Sequence, residues 1–403
     1  MHYDKNNLIN YIITLYAFII PISASDPKKL TLLLLLLWVL DINIYSKITK
    51  LFESRVFIAL FLFLSYSVLS LLWANNLSSG FNFLTHYWYL LAFPIFITEL
   101  KLHNIPKILS AFLLGMFISE LISYGVMFEF FTFKKATPLN PSPFMHHTFY
   151  GLFLAFTSLL LLNKIFTTIQ IKDRLLYFLF FLTVTANLFM NAGRTGYLAF
   201  SIGFITISFL YIKNKVSAFF FILLFIGTIS TISYNFSSVF NARIHQAQAE
   251  LTKIYENSAT KFHGSFGLRL TVWSVGIEMI QENPLLGTGV GNEMIALKEK
   301  LENDPLKKKL IYNIHHFHND YISYFVQLGI FGFLLYLNIF YQLFKLSISD
   351  KEISTLRYLF IIIFLISSLV DFVFVHKFTL ALFVLFSAIF TVKSIKKPYP
   401  QPL

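Results

Sequence analysis

A cluster of polar residues stands directly before a long apolar run in the stretch HHFHNDYISYFVQLGIFGF, residues 315–333. The cluster holds three histidines, an asparagine and an aspartate, and an apolar segment gains nothing from beginning in this way. A neutral imidazole has an ordinary pKa of about 6.5, so it accepts a proton from a hydroxyl group near neutral pH. His318, the last of the three histidines, is therefore our candidate general base.

Two arginines are candidates for binding an anion. Arg194 lies in NAGRTG, a tight turn between two apolar runs, and Arg269 opens an amphipathic segment in GLRLTVW. A guanidinium stays charged and binds phosphate oxygens through two parallel N–H groups. Taken singly, Arg194 could contact lipid headgroups and Arg269 could be a solvated loop charge. Taken with His318, the two arginines fit a lipid-linked diphosphate, whose charge they would stabilise as it leaves.

Three further polar residues are candidates for supporting roles. His146 and His147 lie at the end of another apolar run and could face the same cavity as His318. Asn319 follows the candidate base directly. It could orient the imidazole, or it could cap the helix that begins after it.

The sequence gives little support for a metal or a cofactor. His315, His316 and His318 are too close along the chain to enclose a tetrahedral ion alone, and we expect no cysteine or acidic ligand beside them. No Asp-x-Asp pair occurs, which argues against a metal-dependent transferase that uses a nucleotide sugar. The run GTGVG, residues 287–291, lacks the Lys-Ser/Thr pair that completes a phosphate-binding loop. We therefore predict a site with no metal and no cofactor.

The composition indicates a membrane protein. The chain has 403 residues, of which 56% are hydrophobic and 13% are charged, against roughly 25% charged in soluble domains. One soluble core cannot bury so much apolar surface, so the lipid bilayer must be a partner. The net charge of +12 does not require nucleic acid, because Lys and Arg collect on the cytoplasmic side of membrane proteins.

The apolar runs predict an all-α polytopic membrane protein with about 12 transmembrane helices. The runs are continuously apolar rather than alternating, which is typical of spanning helices. The whole chain, 1–403, is read as a single integral membrane domain. The predicted spans cover residues 8–24, 30–46, 56–74, 82–99, 108–130, 147–163, 175–192, 195–212, 216–234, 319–344, 356–375 and 378–394.

The distribution of basic residues predicts the orientation in the membrane. With the N-terminus inside, the inner connections hold 17 of the 32 Lys and Arg residues, and the short outer connections hold six. This asymmetry places both termini in the cytoplasm and the long loop 235–318 in the periplasm. Two amphipathic helices are expected in that loop, over residues 243–262 and 268–292, with Asn283-Pro284 ending the second.

Three motifs in order resemble one family. His318-Asn319, nine further residues and Gly329-Ile330-Phe331-Gly332 match a His-[Asn/Ser/Gln]-x9-Gly-x-x-[Gly/Thr/Tyr] signature. GRTGYLAF (193–200) resembles an outer arginine turn, and RLTVWSVGIEMIQENPLLGTGVGN (269–292) resembles a periplasmic Arg-x-x-x-Trp…Pro-x-x-Gly-x-Gly segment. The signature is that of the bacterial O-antigen ligases, with their relatives the O-antigen polymerases and O-linking oligosaccharyltransferases. The resemblance is good over about 185–340, which we read as an O-antigen ligase-like core, and architectural elsewhere.

The resemblance implies a GT-C-like membrane glycosyltransferase with its active site on the periplasmic face of the bacterial inner membrane. The donor would be a glycan on undecaprenyl diphosphate, and the favoured acceptor is the lipid A–core oligosaccharide of lipopolysaccharide. Arg194 and Arg269 would hold the diphosphate while His318 activates the acceptor, without a metal. An O-antigen polymerase and an O-linking protein oligosaccharyltransferase remain alternatives.

A membrane transporter is the alternative from a different functional class. A transporter is expected to carry charged residues deep in the membrane or broken helices in paired halves. Among the acidic residues in the apolar runs, only Glu120 lies deep in a predicted span. A substrate pathway through the membrane therefore has little support.

Overall fold

The computed structural model describes residues 5–41, 43–255, 265–302 and 314–395, and in these ranges the chain is helical without a β-strand. Short 3₁₀ helices cover Ser70–Trp73, Thr85–Leu91 and Leu102–Asn104. The α-helices, numbered along the chain, are α1 (Lys5–Ile19), α2 (Asp26–Val39), α3 (Ile44–Leu51), α4 (Arg55–Leu69), α5 (Leu77–Leu84), α6 (Ala92–Glu99), α7 (Ile105–Met127), α8 (His147–Thr167), α9 (Ile171–Met190), α10 (Arg194–Tyr211), α11 (Lys215–Phe236), α12 (Ser238–Tyr255), α13 (Ser265–Glu282), α14 (Glu293–Lys300), α15 (Asp320–Phe344), α16 (Lys351–Val370) and α17 (Lys377–Ile395).

The all-α polytopic membrane architecture is confirmed, but with fewer clear spans than the sequence predicts. In the described part of the chain, eight helical segments are long and apolar enough to cross a membrane. A ninth is added if α2 and α3, which meet at an angle of 115°, form one broken span. The predicted number of about 12 is therefore not confirmed. α1 has only 15 residues, and α10 begins with a charged residue. The eight segments are α4 with the 3₁₀ turn after it, α7 with the turn before it, α8, α9, α11, α15, α16 and α17.

The segment predicted as a span over 82–99 is broken into three short pieces. α5 ends at Leu84, a 3₁₀ helix follows, and α6 begins at Ala92. Irregular backbone is tolerated at membrane depth where protein covers it. Tyr87 and Tyr89 in the 3₁₀ segment are buried, and the Tyr87 hydroxyl donates to the Tyr324 hydroxyl of α15 at 3.3 Å. The broken segment is therefore packed into the bundle.

Phenylalanine rings fill the centre of the bundle. α8 and α17 are the most deeply buried of the spanning helices, and α11 is the most exposed. Phe156 of α8 meets Phe386 of α17 edge to face, with ring centroids 4.6 Å apart, and Phe360 of α16 joins them. Edge-to-face packing is the favoured geometry for aromatic pairs. This aromatic centre packs α8, α16 and α17 together, and the candidate site lies at the N-terminal ends of α8 and α17 and the C-terminal end of α16.

The signature glycine breaks α15 and lets the preceding loop dock against it. Gly329 has φ 62°, and a Cβ there would lie 2.1 Å from the Leu285 carbonyl oxygen. The Ile330 N–H, which in an unbroken helix would bond to Val326, donates instead to the Pro284 carbonyl at 2.9 Å. The Val326 carbonyl in turn accepts from Thr288 N at 2.8 Å. The Gly-rich run 287–291 thus has a structural partner in α15.

The long loop contains helices in its described part, as the sequence predicts. α12 begins at Ser238, and residues 256–262 of the predicted helix 243–262 lie outside the described residues. α13 ends at Glu282, directly before Asn283-Pro284, which confirms the predicted end. Residues 283–292 are turns rather than the last part of that helix.

Candidate active site

The candidate base stands at the N-terminal end of α15, two residues before the helix begins. His318 has φ 52°, a left-handed conformation that is costly for a residue with a side chain, by roughly 1–3 kcal/mol. Its backbone N–H donates to Nδ1 of His316 at 3.2 Å. The Asn319 side chain caps the helix by accepting from Ile322 N at 3.0 Å and donates to the Leu369 carbonyl. Of the two predicted roles, capping is the one that the structure gives Asn319.

A buried carboxylate faces His318 from the loop between α16 and α17. Oδ1 of Asp371 lies 3.4 Å from Nδ1 of His318, at the long limit of hydrogen-bond distances, and accepts from Phe372 N at 2.8 Å. Burial alone would raise the pKa of Asp371, but contact with His318 and the charge of His316 hold it at about 2. The ionised carboxylate favours a proton on Nδ1, which leaves Nε2 of His318 as a proton acceptor.

The loop that carries Asp371 is held by Asp320, a residue inside the signature. Oδ2 of Asp320 accepts from the Ser368 hydroxyl at 2.6 Å and from the N–H groups of Val373 and Phe374 at 3.3 and 3.2 Å. These bonds join the first residue of α15 to both sides of Asp371. The orientation of the His318 ring therefore depends on Asp371, which contacts it, and on Asp320, which holds the loop that carries Asp371.

Asp371 also brings an acidic ligand to the histidines, so the expectation that none lies beside them is wrong. His316, His318 and Asp371 each offer one ligand atom, and these atoms lie within 4.8 Å of one another. Three protein ligands with an open position are what catalytic zinc sites use. His315 does not belong to this set and is exposed. The three residues could hold a metal, or they could work as a hydrogen-bonded set without one.

Arg194 is placed beside His147 by close helix packing. Gly193 lies so near the His147 carbonyl that a Cβ would be 2.5 Å from its oxygen, and α10 meets α8 where Gly196 faces Gly151. Small residues are what allow helices to approach this closely in membranes. Arg194 is the first residue of α10, and the exposed N–H groups of a helix start attract anions. The turn thus presents a guanidinium and a helix N-terminus together.

Arg269 lies on α13 beside the histidine loop. Trp273, one turn further along the same face, donates from its indole nitrogen to the Phe317 carbonyl at 2.8 Å. Burial lowers the pKa of His316 to about 4, and the charge of Arg269 contributes to that shift. His316 is therefore neutral at neutral pH, and α13 is tied to the loop that carries His318.

Electrostatic interactions join the predicted residues into one cluster. The charges of Arg243, Arg269 and Asp371 act on the His147 ring, which stacks on His146 with centroids 3.9 Å apart. The charges of Asp371 and His318 act on His146. The charges of Arg243 and Arg194 both act on Tyr197, which relates Arg194 to Arg243 rather than directly to His318. Arg243 and Asp371 are the two members that the sequence analysis missed.

The part of the chain that contains most of these residues matches a known protein family. Residues 178–337 match the family described as O-antigen ligase. Over this range the chain resembles the O-antigen ligase and polymerase superfamily. The resemblance noted from the sequence is confirmed, and the matched range contains Arg194, Arg269 and His318. Asp371 lies beyond that range. A search of curated proteins found no match.

Proposed function

We propose that this protein is a ligase of the O-antigen ligase superfamily that transfers a glycan from undecaprenyl diphosphate to lipid A–core oligosaccharide. The observation that carries the proposal is the His318–Asp371 pair in one electrostatic cluster with Arg194, Arg243 and Arg269. It combines a base for a hydroxyl group with cations for a diphosphate. The reaction would take place at the periplasmic face of the bacterial inner membrane.

In the proposed reaction an acceptor hydroxyl oxygen attacks the anomeric carbon of the donor sugar. The bond from that carbon to the diphosphate oxygen breaks, and its electron pair leaves with undecaprenyl diphosphate. The hydroxyl proton passes to Nε2 of His318, and Asp371 stabilises the imidazolium that forms. Arg194 and Arg269 bind the diphosphate oxygens, so the leaving group needs no proton.

An apolar cavity supports a lipid-linked donor. It has a volume of about 270 Å³ and lies between α9 and α11, which face the membrane. Met190 lines its outer end, four residues before Arg194. A polyprenyl chain in this cavity would bring its diphosphate to the N-terminus of α10. The lining is almost entirely apolar, with Phe181, Phe225, Ile229, Ile232 and Phe236 among its residues.

We propose that the reaction needs no metal, although His316, His318 and Asp371 could bind one. Three arginines in the cluster can supply the positive charge that a metal would otherwise provide. We expect activity to survive a chelator, and added zinc to inhibit by occupying the histidines. If a chelator abolished transfer and one added metal restored it, the proposal that the reaction needs no metal would be wrong.

The orientation can be tested with single cysteines, because the chain has none of its own. Ser238 and Lys213 are exposed residues just beyond opposite ends of α11. A cysteine at Ser238 should react with a membrane-impermeant thiol reagent in intact spheroplasts. A cysteine at Lys213 should react only after lysis. The reverse pattern would invert the membrane topology and overturn a periplasmic site.

A deletion strain separates ligase from polymerase, the main alternative, since the two differ in their acceptor. Loss of all glycan on lipid A–core, with lipid-linked polymer accumulating, is expected for a ligase. A single repeat on the core would indicate a polymerase. An unchanged lipopolysaccharide profile with unglycosylated periplasmic proteins would favour the protein oligosaccharyltransferase.

A further inference from the structure

A second cavity, of about 560 Å³, lies beside the histidine loop. Its volume falls within the roughly 300–1,000 Å³ that is usual for small-molecule sites. Helix α5 and the 3₁₀ helix that follows it form one wall, and residues 372–376 form another. The side chains facing it include Asn82, Phe83, Phe149, Glu293, His316 and Phe372. Aromatic walls with a few polar groups are typical of sites that bind a small polar molecule.

Glu293 is an unusual lining residue for this cavity. It is only 4% exposed, and its Oε2 accepts no hydrogen bond from the residues that the structure describes. A buried polar oxygen without a partner is destabilising, and more so if it is charged. Burial raises the pKa of Glu293 to about 7. A hydrogen-bond donor on a ligand in the cavity would satisfy this oxygen.

The position of the cavity relative to the cluster indicates which substrate it would take. Among the described residues that line it there is no Lys or Arg, so it does not suit a diphosphate. His316 lines the cavity, and its ring lies 4.0 Å from the ring of His318. A hydroxyl on a molecule in the cavity is therefore one ring away from the candidate base. The diphosphate sites, Arg194 and Arg269, do not line it.

We propose that this cavity is the acceptor subsite, in which Glu293 forms hydrogen bonds with hydroxyl groups of a neutral sugar of the acceptor. The inference rests on the proposed glycosyl transfer and deepens it by naming the acceptor's contacts. Phe83 and Phe372 both line the cavity, with ring centroids 6.1 Å apart, and provide aromatic surface for the apolar side of the sugar. Asn82 is exposed on α5, next to Phe83, and offers a second polar group.

Steady-state kinetics with the purified full-length enzyme test this subsite. The substrates are undecaprenyl-diphosphate glycan and lipid A–core from a strain that makes no O antigen. Glu293→Ala should raise the acceptor KM about tenfold, the value of one hydrogen bond to a charged group. Glu293→Gln should raise it less, because an amide retains one acceptor oxygen. The donor KM should stay unchanged in both variants.

Glu299→Gln is the matched control, because Glu299 lies on the same helix α14 and is exposed. It should leave both KM values unchanged. The melting temperature separates a binding role from a structural one. Removing an unsatisfied buried carboxyl should leave the Tm of Glu293→Gln equal to that of the wild type or higher. Asn82→Ala, at an exposed position, provides a variant with little effect on folding and should raise the acceptor KM about threefold.

Three results would overturn the acceptor subsite. The first is an unchanged acceptor KM in Glu293→Ala and Asn82→Ala. The second is a rise in the donor KM instead, which would assign the cavity to the donor sugar. The third is a fall in Tm with kcat lost and both KM values kept, which would make Glu293 structural. If the wild type transfers nothing, the proposed function fails separately. The thermal shift caused by lipid A–core, compared between wild type and Glu293→Ala, still tests the cavity then.

Discussion

The two ends of the bundle use polar residues in different ways. At the predicted cytoplasmic end, lysines pair with carboxylates between helices: Lys164 with Glu352 and Lys393 with Asp350, both at 2.9 Å. At the predicted periplasmic end, the buried carboxylate Asp371 contacts a histidine instead. A lysine–carboxylate pair keeps both charges and fixes helix ends. A histidine–carboxylate pair fixes a ring that can still exchange a proton, so only the second arrangement is suited to catalysis.

Removing the histidine of the His318–Asp371 pair should have the largest effect on the transfer rate. His318→Ala is expected to lower kcat by about 10²–10⁴-fold, since it removes the proposed base. Binding of the lipid-linked donor should survive, because the arginines carry that interaction. His103→Ala is the control, since His103 is exposed and lies outside both the ligand set and the acceptor cavity. A purified His318→Ala enzyme with a near wild-type rate would falsify the assignment of the base.

Removing the carboxylate from the pair should have the next largest effect. Asp371→Asn keeps the size of the side chain but loses the charge that stabilises the imidazolium, and we expect kcat to fall about 10–100-fold. The donor and acceptor KM values should change little, because Asp371 acts through His318. Asp371→Glu should restore part of the rate. A variant that raises KM while kcat stays constant would assign Asp371 to substrate binding.

The arginines should respond to a change of shape at constant charge. Arg194→Lys and Arg269→Lys are each expected to raise the donor KM about tenfold, because an ammonium cannot form the two parallel bonds of a guanidinium. Transfer assays on equal amounts of folded protein provide the measurement. Normal donor kinetics in both variants would contradict diphosphate binding. Arg194 would then be a lipid headgroup contact and Arg269 a solvated loop charge.

The smallest effect is expected at the opposite end of the bundle. Lys393→Gln breaks the pair with Asp350, in which both side chains are partly exposed. The free energy of unfolding should fall by less than about 1 kcal/mol, as for other exposed ion pairs, and transfer should be unchanged. Thermal unfolding and a transfer assay measure the two quantities. Loss of activity with a normal Tm would contradict a purely structural role for this end.

Much of the architecture follows from local sequence. Continuous apolar runs predict membrane helices because lipid requires each segment to satisfy its own backbone. Asn283-Pro284 predicts the end of α13, and the structure ends that helix at Glu282. The break of the run 82–99 was not predictable in this way. A segment with buried tyrosines and a 3₁₀ turn is as apolar as a spanning helix, and only its tertiary packing distinguishes the two.

The site was predictable only where it coincided with a motif or with an outer-face cation. His318, Arg194 and Arg269 satisfy that condition, and their charges act on His146, Tyr197 and His147, respectively. Asp371 does not, because its partner lies 53 positions earlier in the chain and the contact exists only after α15, α16 and α17 have packed. Its one local sign is an acidic residue near the end of the predicted span 356–375, in DFVFVH. Glu293 has no such sign, because its burial is a tertiary property.

The docking of residues 284–289 on the broken helix α15 limits how this protein can be divided. The Ile330 N–H and the carbonyls of Val326 and Gln327 have their hydrogen bonds with the loop rather than within the helix. Deleting or exchanging the loop alone would leave these groups facing hydrocarbon, at several kcal/mol each. The loop and helix α15 therefore form one structural unit. We expect a chimera with a relative to fold only if it receives both the loop and the helix.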